Sequence, residues 1–596
     1  MLKIIRHMQR KDWELFLLSL ACVAIQVWLD LKLPDYMATI TRLVKTEEAV
    51  VAQVLAAGGM MLLCALGSVI ALIFVGYLSA KLAANFSRHL RRDVFRRVQD
   101  FSMGEIETFS TASLITRSTN DVQQMQMIVS RGLRMMIQAP ITAAMALVKI
   151  SGKHWEWTAV TGGAILVVVG LVVFLVLYAH PRFRKMQSLT DDINRTMRDN
   201  LTGIRVVRAY NAEEFQEEKF QAANNRLTKN SLQARRAMAV MQPIMQVVNN
   251  ILAIAIYCIG GFLIAGMSDP ALQLETFSEM VVFSTYAAKL LFAFMSLNMI
   301  FNMLPRAAVS AGRINEVFAT EPSIKEGTED SGVSGCEGEL EFQHVSFRYP
   351  GAEADALTDI SFTAHKGEVV AFIGATGSGK SSLINLIPRF YDVTAGKILL
   401  DGKDVKSYRL KTLRDKLGIA TQRAILFTGT VASNVSYGSD PIPETASEEE
   451  KAKAETALDE AIRIAQASEF VSKMPEEKYA AIARGGTNVS GGQRQRLSIA
   501  RAIFRRPEFY IFDDTFSALD YKTDRTLRSE LKKSTEGVTT LIVAQRIGTI
   551  RDADKIIVLD DGKIVGMGTH HELLQSCQIY QEIAYTQLSK EELANG

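Results

Sequence analysis

Long apolar runs dominate the first half of this 596-residue chain. Three of them, 49–80, 157–179 and 237–268, contain no charged residue, and three weaker runs lie at 15–34, 135–150 and 280–304. Because a membrane-spanning helix needs about 20 apolar residues, the pattern predicts six spans. Basic residues precede the first run, as in a signal peptide, but no small-residue cleavage site appears in the first forty positions and further spans follow.

The connections between the runs alternate in length and charge. Two long connections, 81–134 and 180–236, hold 21 Lys and Arg, whereas the short connections 35–48, 151–156 and 269–279 hold three. The positive-inside rule therefore predicts that both termini and both long connections are cytoplasmic. Helical spacing and the lack of Pro–Gly clusters predict that the long connections are helical hairpins, with tips near Glu107–Arg117 and Gly203–Phe215.

Few charged side chains lie within the spans; they are Asp30, Lys32, Lys149 and Lys289. Asp30 and Lys289 are expected either to line a polar cavity or to pair with neighbouring helices. Lys149 lies near the outer end of its span and is expected to extend to the interface. Trp155 and Trp157 are also placed at the outer interface.

The second half reads as an α/β sequence. A linker rich in Gly, Ser, Glu and Asp occupies 321–338, and strand-like runs then alternate with helical patterns. We therefore expect an all-α six-span domain over 1–320 and an α/β domain with a mostly parallel sheet over 339–596. The formal net charge of +3 gives no indication of a nucleic-acid partner.

A phosphate-binding loop is the strongest chemical signal. A strand-like run, 369–373, leads into G-x-x-x-x-G-K-S and then into an apolar helix start. Backbone N–H groups of such a loop surround phosphate oxygens, the lysine contacts the β- and γ-phosphates, and the following serine can bind Mg²⁺. The predicted loop comprises Gly374, Ala375, Thr376, Gly377, Ser378, Gly379, Lys380, Ser381 and Ser382.

Two further elements complete the candidate nucleotide chemistry. A buried-strand run, 509–512, ends in Asp513, which is placed to hold Mg²⁺, and in Asp514, which is placed as a water-activating base. Ser490, Gly491, Gly492 and Gln493 open a second helix and form another phosphate-facing N-terminus. Since one chain cannot easily direct both helix starts at one nucleotide, the sequence suggests a site shared by two chains.

The order of these motifs resembles that of half-size ABC exporters of the multidrug, lipid and peptide type. The resemblance includes "VSGGQ" at 489–493, "FYIFDD" at 509–514 and the turn that ends at Asp520. It implies an ATP-driven translocase that uses Mg²⁺. It also implies that Tyr349 stacks on adenine, that Gln422 contacts Mg²⁺ and the attacking water, and that 203–215 docks on a nucleotide-binding domain.

Two departures from the family pattern fall on the same nucleotide site. The family has Glu where this chain has Asp514, and His where this chain has Gln545 in "VAQR". The Asp carboxylate is withdrawn by about 1.5 Å, one C–C bond, and Gln provides no cationic donor. The pattern resembles one subunit of a heterodimeric exporter that holds a degenerate ATP site and lends its intact signature to the catalytic site of a non-identical partner.

Three alternatives remain open from the sequence. They are a homodimeric exporter with two slow sites, a membrane regulator or channel gated by ATP binding, and an importer built on the same fold. The expected location is the cytoplasmic membrane. The transported molecule is expected to be hydrophobic or amphipathic, and a drug, a lipid and a peptide all remain candidates.

Overall fold

A computed structural model provides the structure, which describes Ile4 and residues 6–45, 51–439 and 447–587. The chain forms two compact units. The first, here the membrane unit, comprises 1–99 and 112–320, and the second, here the nucleotide unit, comprises 100–111 and 321–596. The extreme termini, whose cytoplasmic location the charge pattern predicts, lie outside the described residues.

The membrane unit is helical throughout its described part. Six of its helical stretches are long and apolar enough to span a bilayer, which confirms the predicted number. Its helices are α1 (Arg10–Lys45), α2 (Val51–Gln99), α4 (Thr111–Thr116), α5 (Val122–Met127), α6 (Leu133–Ile150), α7 (Trp155–Thr202), α8 (Ile204–Ala209), α9 (Glu213–Ala265) and α10 (Pro270–Ala319); α3 (Met103–Phe109) belongs to the nucleotide unit.

The long connections are helical, as predicted. Helices α2, α7 and α9 run for 49, 48 and 53 residues, which exceeds the roughly 20 residues that a bilayer requires. The breaks between long helices fall at 100–110 and at 203–212, close to the predicted tips. Two π-helical turns, Arg117–Asp121 and Ile128–Gly132, interrupt the third spanning stretch without ending it.

The first span differs from the prediction, because α1 passes through Pro34 instead of ending there. Proline has no N–H to donate to the carbonyl four residues earlier, which here belongs to Asp30. The Lys289 ammonium of α10 donates to that Asp30 carbonyl oxygen. A side chain from another span thus satisfies the backbone group that proline leaves without its helical partner, as the bilayer requires.

Polar contacts join the first, third and sixth spanning stretches. Lys149 Nζ lies 2.6 Å from an Asp35 carboxylate oxygen, and the Tyr286 hydroxyl donates to the other oxygen at 2.6 Å. Trp157 is fully buried against Phe283 of α10, whereas Trp155 is exposed. Their location at the outer interface stays a prediction.

The nucleotide unit contains twelve described strands. They are β1 (Leu340–Phe347), β2 (Leu357–Ala364), β3 (Val369–Gly374), β4 (Ala395–Leu400), β5 (Lys403–Asp404), β6 (Leu417–Ala420), β7 (Gly429–Thr430), β8 (Ala481–Ile482), β9 (Phe509–Asp513), β10 (Thr539–Val543), β11 (Lys555–Asp560) and β12 (Lys563–Gly568).

Most of these strands form two sheets. The six-stranded sheet has the order β12-β11-β3-β10-β9-β6 and is parallel except for β12. The four-stranded sheet is antiparallel and has the order β2-β1-β4-β5, and strands β7 and β8 pair separately.

Helices cover the parallel sheet, as the alternating pattern predicts. They are α11 (Lys380–Leu386), α12 (Leu410–Asp415), α13 (Val431–Val435), α14 (Glu448–Ile464), α15 (Ser468–Val471), α16 (Gly491–Phe504), α17 (Tyr521–Ser534), α18 (Ile547–Ile550), α19 (His570–Ser576) and α20 (Gln578–Gln587), with 3-10 turns at Glu477–Tyr479 and Arg484–Gly486. Strands β3, β9 and β10 are neighbours with apolar, almost fully buried residues, so their carboxyl ends meet at one sheet edge.

Candidate nucleotide-binding site

The predicted phosphate loop connects β3 to α11. At two positions of this loop, the backbone leaves no room for a side chain or adopts a conformation that favours glycine. A Cβ on Gly374 would lie 2.0 Å from the Leu559 carbonyl oxygen, and Gly379 has φ of +97° in addition to crowding against Ala356 and Leu357. The left-handed Gly379 is the N-cap of α11, so the chain turns there and aligns its N–H groups along the helix axis.

The Lys380 ammonium lies inside this loop. Its Nζ donates to the carbonyl oxygens of Gly374 and Ala375 at 2.9 and 2.7 Å, and to Ser378 Oγ at 3.2 Å. Burial lowers the pKa of Lys380, and the charges of Asp514 and Asp513 oppose that shift. A cation held by neutral oxygens at the start of a helix suits the binding of a polyanion such as a triphosphate.

Asp513 and Ser381 lie together at the carboxyl end of β9. Ser381 Oγ is 3.5 Å from Asp513 Oδ1. Burial raises the pKa of Asp513, and the neighbouring Asp514 charge raises it further. A hydroxyl and a carboxylate beside the phosphate loop are the donor set that Mg²⁺ takes in P-loop proteins, so the residues fit Mg²⁺ with a nucleotide.

Asp514 is held by two amides. Gln545 Nε2 donates to Asp514 Oδ2 at 2.7 Å, and Gln422 Nε2 approaches the same oxygen at 3.3 Å. Asp514 is buried and has φ of 47°, in the left-handed region that few non-glycine residues adopt. The structure thus brings together three side chains that the sequence placed in one site, and both amides donate to the same Asp514 oxygen.

Tyr349 also reaches the phosphate-loop helix. Its hydroxyl lies 2.9 Å from Ser382 Oγ, and its half-buried ring stands edge-on to Tyr391 with centroids 5.2 Å apart. The Tyr391 hydroxyl donates at 2.9 Å to Glu107 of α3, so three side chains connect the loop helix to that segment. Burial, together with Glu107, raises the pKa of Tyr391, which keeps the phenol protonated as a donor.

The signature residues form a separate element. Ser490 caps α16: its hydroxyl accepts from Gln493 N, and the Gln493 side chain accepts from Ser490 N. A Cβ on Gly492 would lie 3.3 Å from the Ala518 carbonyl oxygen, whereas the Cβ position of Gly491 is open. Among the described residues, no hydrogen bond joins this helix start to 374–382.

Asp520 lies next to the signature rather than in the loop. Its exposed side chain caps α17 by accepting from Thr523 N at 3.0 Å, which lowers the pKa of Asp520. Within the described part of the chain, its hydrogen bonds likewise do not reach 374–382. Thr376 and Gly377 occupy the exposed tip of the phosphate loop.

Sequence reasoning missed the contacts of Gln587 with the segment that carries Gln545. The Gln587 side chain accepts from Ile547 N and donates to the Gln545 carbonyl oxygen, both at 2.8 Å. These bonds attach the segment that carries Gln545 to the C-terminal helix α20. No spacing rule identifies such a contact, because a glutamine forty residues downstream has no distinctive local pattern.

Two family models match the sequence. The model of the ABC transporter transmembrane region matches residues 14–295, and the model described as ABC transporter matches residues 357–517. The chain is 40% identical to an uncharacterised ABC transporter ATP-binding protein of Mycobacterium tuberculosis over 89% of this chain and 87% of that protein.

Two further similarities concern a named transporter and a solved structure. An ATP-dependent lipid A-core flippase of Pseudomonas fluorescens is 32% identical over 85% of this chain and 81% of its own length. The structure of a bacterial Atm1-family ABC exporter with ATP bound superposes with a TM-score of 0.79, at 22% identity, over 98% of this chain and 100% of that one. The fold is therefore that of an ABC exporter.

Proposed function

Because the chain belongs to the ABC transporter family, with one membrane region followed by one ATPase domain, we propose that it works as one half of a heterodimeric exporter. Its own ATP site is the degenerate one, and its signature serves the site at which the partner hydrolyses ATP. The partner is a non-identical half-transporter with Glu and His at the positions of Asp514 and Gln545.

The short carboxylate of Asp514 and the neutral amide of Gln545 carry this proposal. A general base must reach the attacking water, and its position sets the efficiency of proton transfer. Here Gln545 and Gln422 donate to one carboxylate oxygen, Oδ2, at 2.7 and 3.3 Å, so both amides hold the carboxylate where the shorter side chain places it. The shorter Asp side chain also keeps its carboxylate about 1.5 Å back from the position that Glu would reach. A misplacement of about 1 Å can cost roughly 10²-fold in rate, so we expect binding with poor turnover.

The chain's own residues have distinct tasks in this arrangement. Lys380 and the N–H groups of the loop bind the phosphates, and Tyr349 supports the adenine. Ser381, Asp513 and Gln422 would hold Mg²⁺, which supplies positive charge to the phosphate oxygens when bound. Ser490 to Gln493 present the start of α16 to the partner's nucleotide, a role in which Asp520 assists from the adjoining turn.

The membrane unit supplies the transport path. Its six spans make the chain a multi-pass membrane protein. From the charge bias of the long connections we infer cytoplasmic termini and a nucleotide unit on the cytoplasmic side. ATP binding would bring two nucleotide units together, and the helical extensions would carry that movement to the spans, which then release a hydrophobic or amphipathic molecule outward.

Purification of the chain alone and with a candidate partner tests the proposal. The chain alone should bind ATP and hydrolyse it slowly, whereas the two-chain complex should hydrolyse it at a rate at least tenfold higher per complex, about 1.4 kcal/mol in barrier. Lys380→Ala controls for binding, and Lys366→Ala, an exposed lysine away from the loop, is its matched control. Fast hydrolysis by a verified homodimer would contradict the degenerate site.

A further inference from the structure

A cavity of about 470 Å³ lies within the membrane unit, between the first, third and sixth spanning stretches. We call it the basic cavity. It has the size of a small-molecule site. Its lining includes Asp30, Arg131, Arg134, Met135, Lys289 and Phe292. Three of these side chains are cations and one is a carboxylate, which is an unusual content for a space between spanning helices.

Among the described residues, the Asp30 carboxylate forms no salt bridge with these cations, although its charge attracts Lys289. Asp30 accepts hydrogen bonds from the Ser68 hydroxyl and, at 3.5 Å, from the Gln26 amide. Lys289 donates to the backbone oxygen of Asp30, the carbonyl that Pro34 leaves without a helical donor. Within the described part of the chain, Arg131, Arg134 and Lys289 take part in no salt bridge.

Two other cations, near the ends of spans, have acid partners. Lys149 and Lys153 pair with Asp35 and Glu279. In the basic cavity, by contrast, three cations share one carboxylate, so the lining keeps an excess of positive charge. Excess charge among spanning helices is costly, so it indicates a ligand-binding role.

The position of the cations along the helices indicates how a ligand enters. Arg134 lies sixteen residues before Ile150, the last residue of α6, a rise of about 24 Å out of a hydrocarbon thickness of about 30 Å. Lys289 lies ten residues after Glu279, about 15 Å from the outer end. The basic cavity therefore extends from the inner boundary of the bilayer to its middle.

Apolar side chains complete the lining. Val27, Leu31, Met135, Ala139 and Phe292 belong to the same cavity, and Phe292 is 70% exposed. Phosphate and carboxylate groups bind guanidinium groups through charge-assisted, bidentate hydrogen bonds. Hydrocarbon suits the apolar wall. The cavity thus presents one surface for an anionic group and another for a chain.

We propose that the basic cavity binds an amphipathic molecule with an anionic headgroup, taken from the inner leaflet, with the headgroup on Arg131 and Arg134 and then on Lys289. The inference rests on the proposed transport function and specifies its substrate class. A zwitterionic or cationic amphiphile would meet the same hydrocarbon surface, but it would not gain from the three cations. Headgroup charge, rather than chain length, is what this site distinguishes.

Binding of fluorescent lysophosphatidic acid and lysophosphatidylcholine to the full transporter complex in nanodiscs tests the proposal. The parent should bind the anionic lipid about tenfold more tightly, and Arg131→Gln with Arg134→Gln should abolish that preference. Arg131→Lys with Arg134→Lys should retain part of the preference for the anionic lipid. Arg195→Gln with Arg198→Gln, two exposed arginines on the long helix α7, is the matched control.

The possible outcomes separate this inference from the proposed function. Equal affinity for both lipids in a complex that still hydrolyses ATP overturns the headgroup assignment and leaves the transporter intact. Competition by inorganic phosphate without binding of lysophosphatidic acid also overturns it, because the cavity would then be a simple anion site. If the parent complex showed no ATP hydrolysis, with or without lipid, that result would instead contradict the proposed function.

Discussion

Gln545 Nε2 donates to Asp514 Oδ2 at 2.7 Å, at the position where a hydrolytic member of the family has a histidine facing a glutamate. The two departures from the family pattern therefore contact each other. Each substitution compensates the other locally, since the buried carboxylate gains a hydrogen-bond donor and the amide gains an acceptor. A pair matched in this way is expected to resist reversal of only one member.

Restoring both residues should restore hydrolysis. Asp514→Glu with Gln545→His, made in a complex whose partner site has been disabled, should raise turnover by roughly 10- to 100-fold, because the carboxylate advances and a cationic donor becomes available. Asp514→Glu alone should give less, since Gln545 still engages the carboxylate. The measurement is steady-state ATPase activity at saturating ATP. No gain from the double variant would mean that other residues set the slow rate.

The contact between Tyr391 and Glu107 should stabilise the short helix α3. Tyr391→Phe removes one hydrogen bond to a carboxylate at 2.9 Å and leaves the ring packing in place. We expect amide exchange in Met103–Phe109 to accelerate by about tenfold, since such a bond contributes roughly 1.5 kcal/mol. Tyr479→Phe is the matched control, because it removes a 2.6 Å hydroxyl contact to Glu455 at an exposed site. Unchanged exchange in α3 would mean that the bond does not stabilise it.

Gln587 should hold the segment that carries Gln545. Gln587→Ala removes the bonds to Ile547 N and to the Gln545 carbonyl oxygen. The Ile547 amide should then exchange about fivefold faster, consistent with the loss of roughly 1 kcal/mol of local stability. Gln581→Ala is the control, since that glutamine lies on the same helix and donates to Leu574 instead. Equal exchange in the two variants would contradict a positioning role for Gln587.

Sequence reasoning predicted best where chemistry fixes a local spacing. The loop from Gly374 to Ser382 follows from the strand, glycine and lysine pattern, because few other backbones place N–H groups around phosphate. Asp513 follows from its place at the end of a buried strand. The six spans follow from charge-free length, since a bilayer tolerates little else.

The errors and omissions arise where distant side chains satisfy a local requirement. Pro34 ends a helix by local rules, but α1 continues because Lys289, more than 250 residues away, donates to the Asp30 carbonyl. Arg131 and Arg134 appeared to belong to a basic connection, since charge density does not reveal that the helix carries them into a cavity.

The start of α16 allows a direct comparison of the two ATP sites. Gly491→Asp places a carboxylate at the helix N-terminus, where no described side chain crowds the new Cβ, so folding should be retained. If α16 serves the partner's working site, this charge should repel the nucleotide and remove more than about 90% of the activity of the complex. Asp514→Asn should reduce the activity by less than about twofold, because that site is already slow. Gly491→Ala is the control for bulk alone. Both variants should be measured in one two-chain preparation at saturating ATP. In a homodimer both changes would fall on every ATP site, so Asp514→Asn would also remove most of the activity.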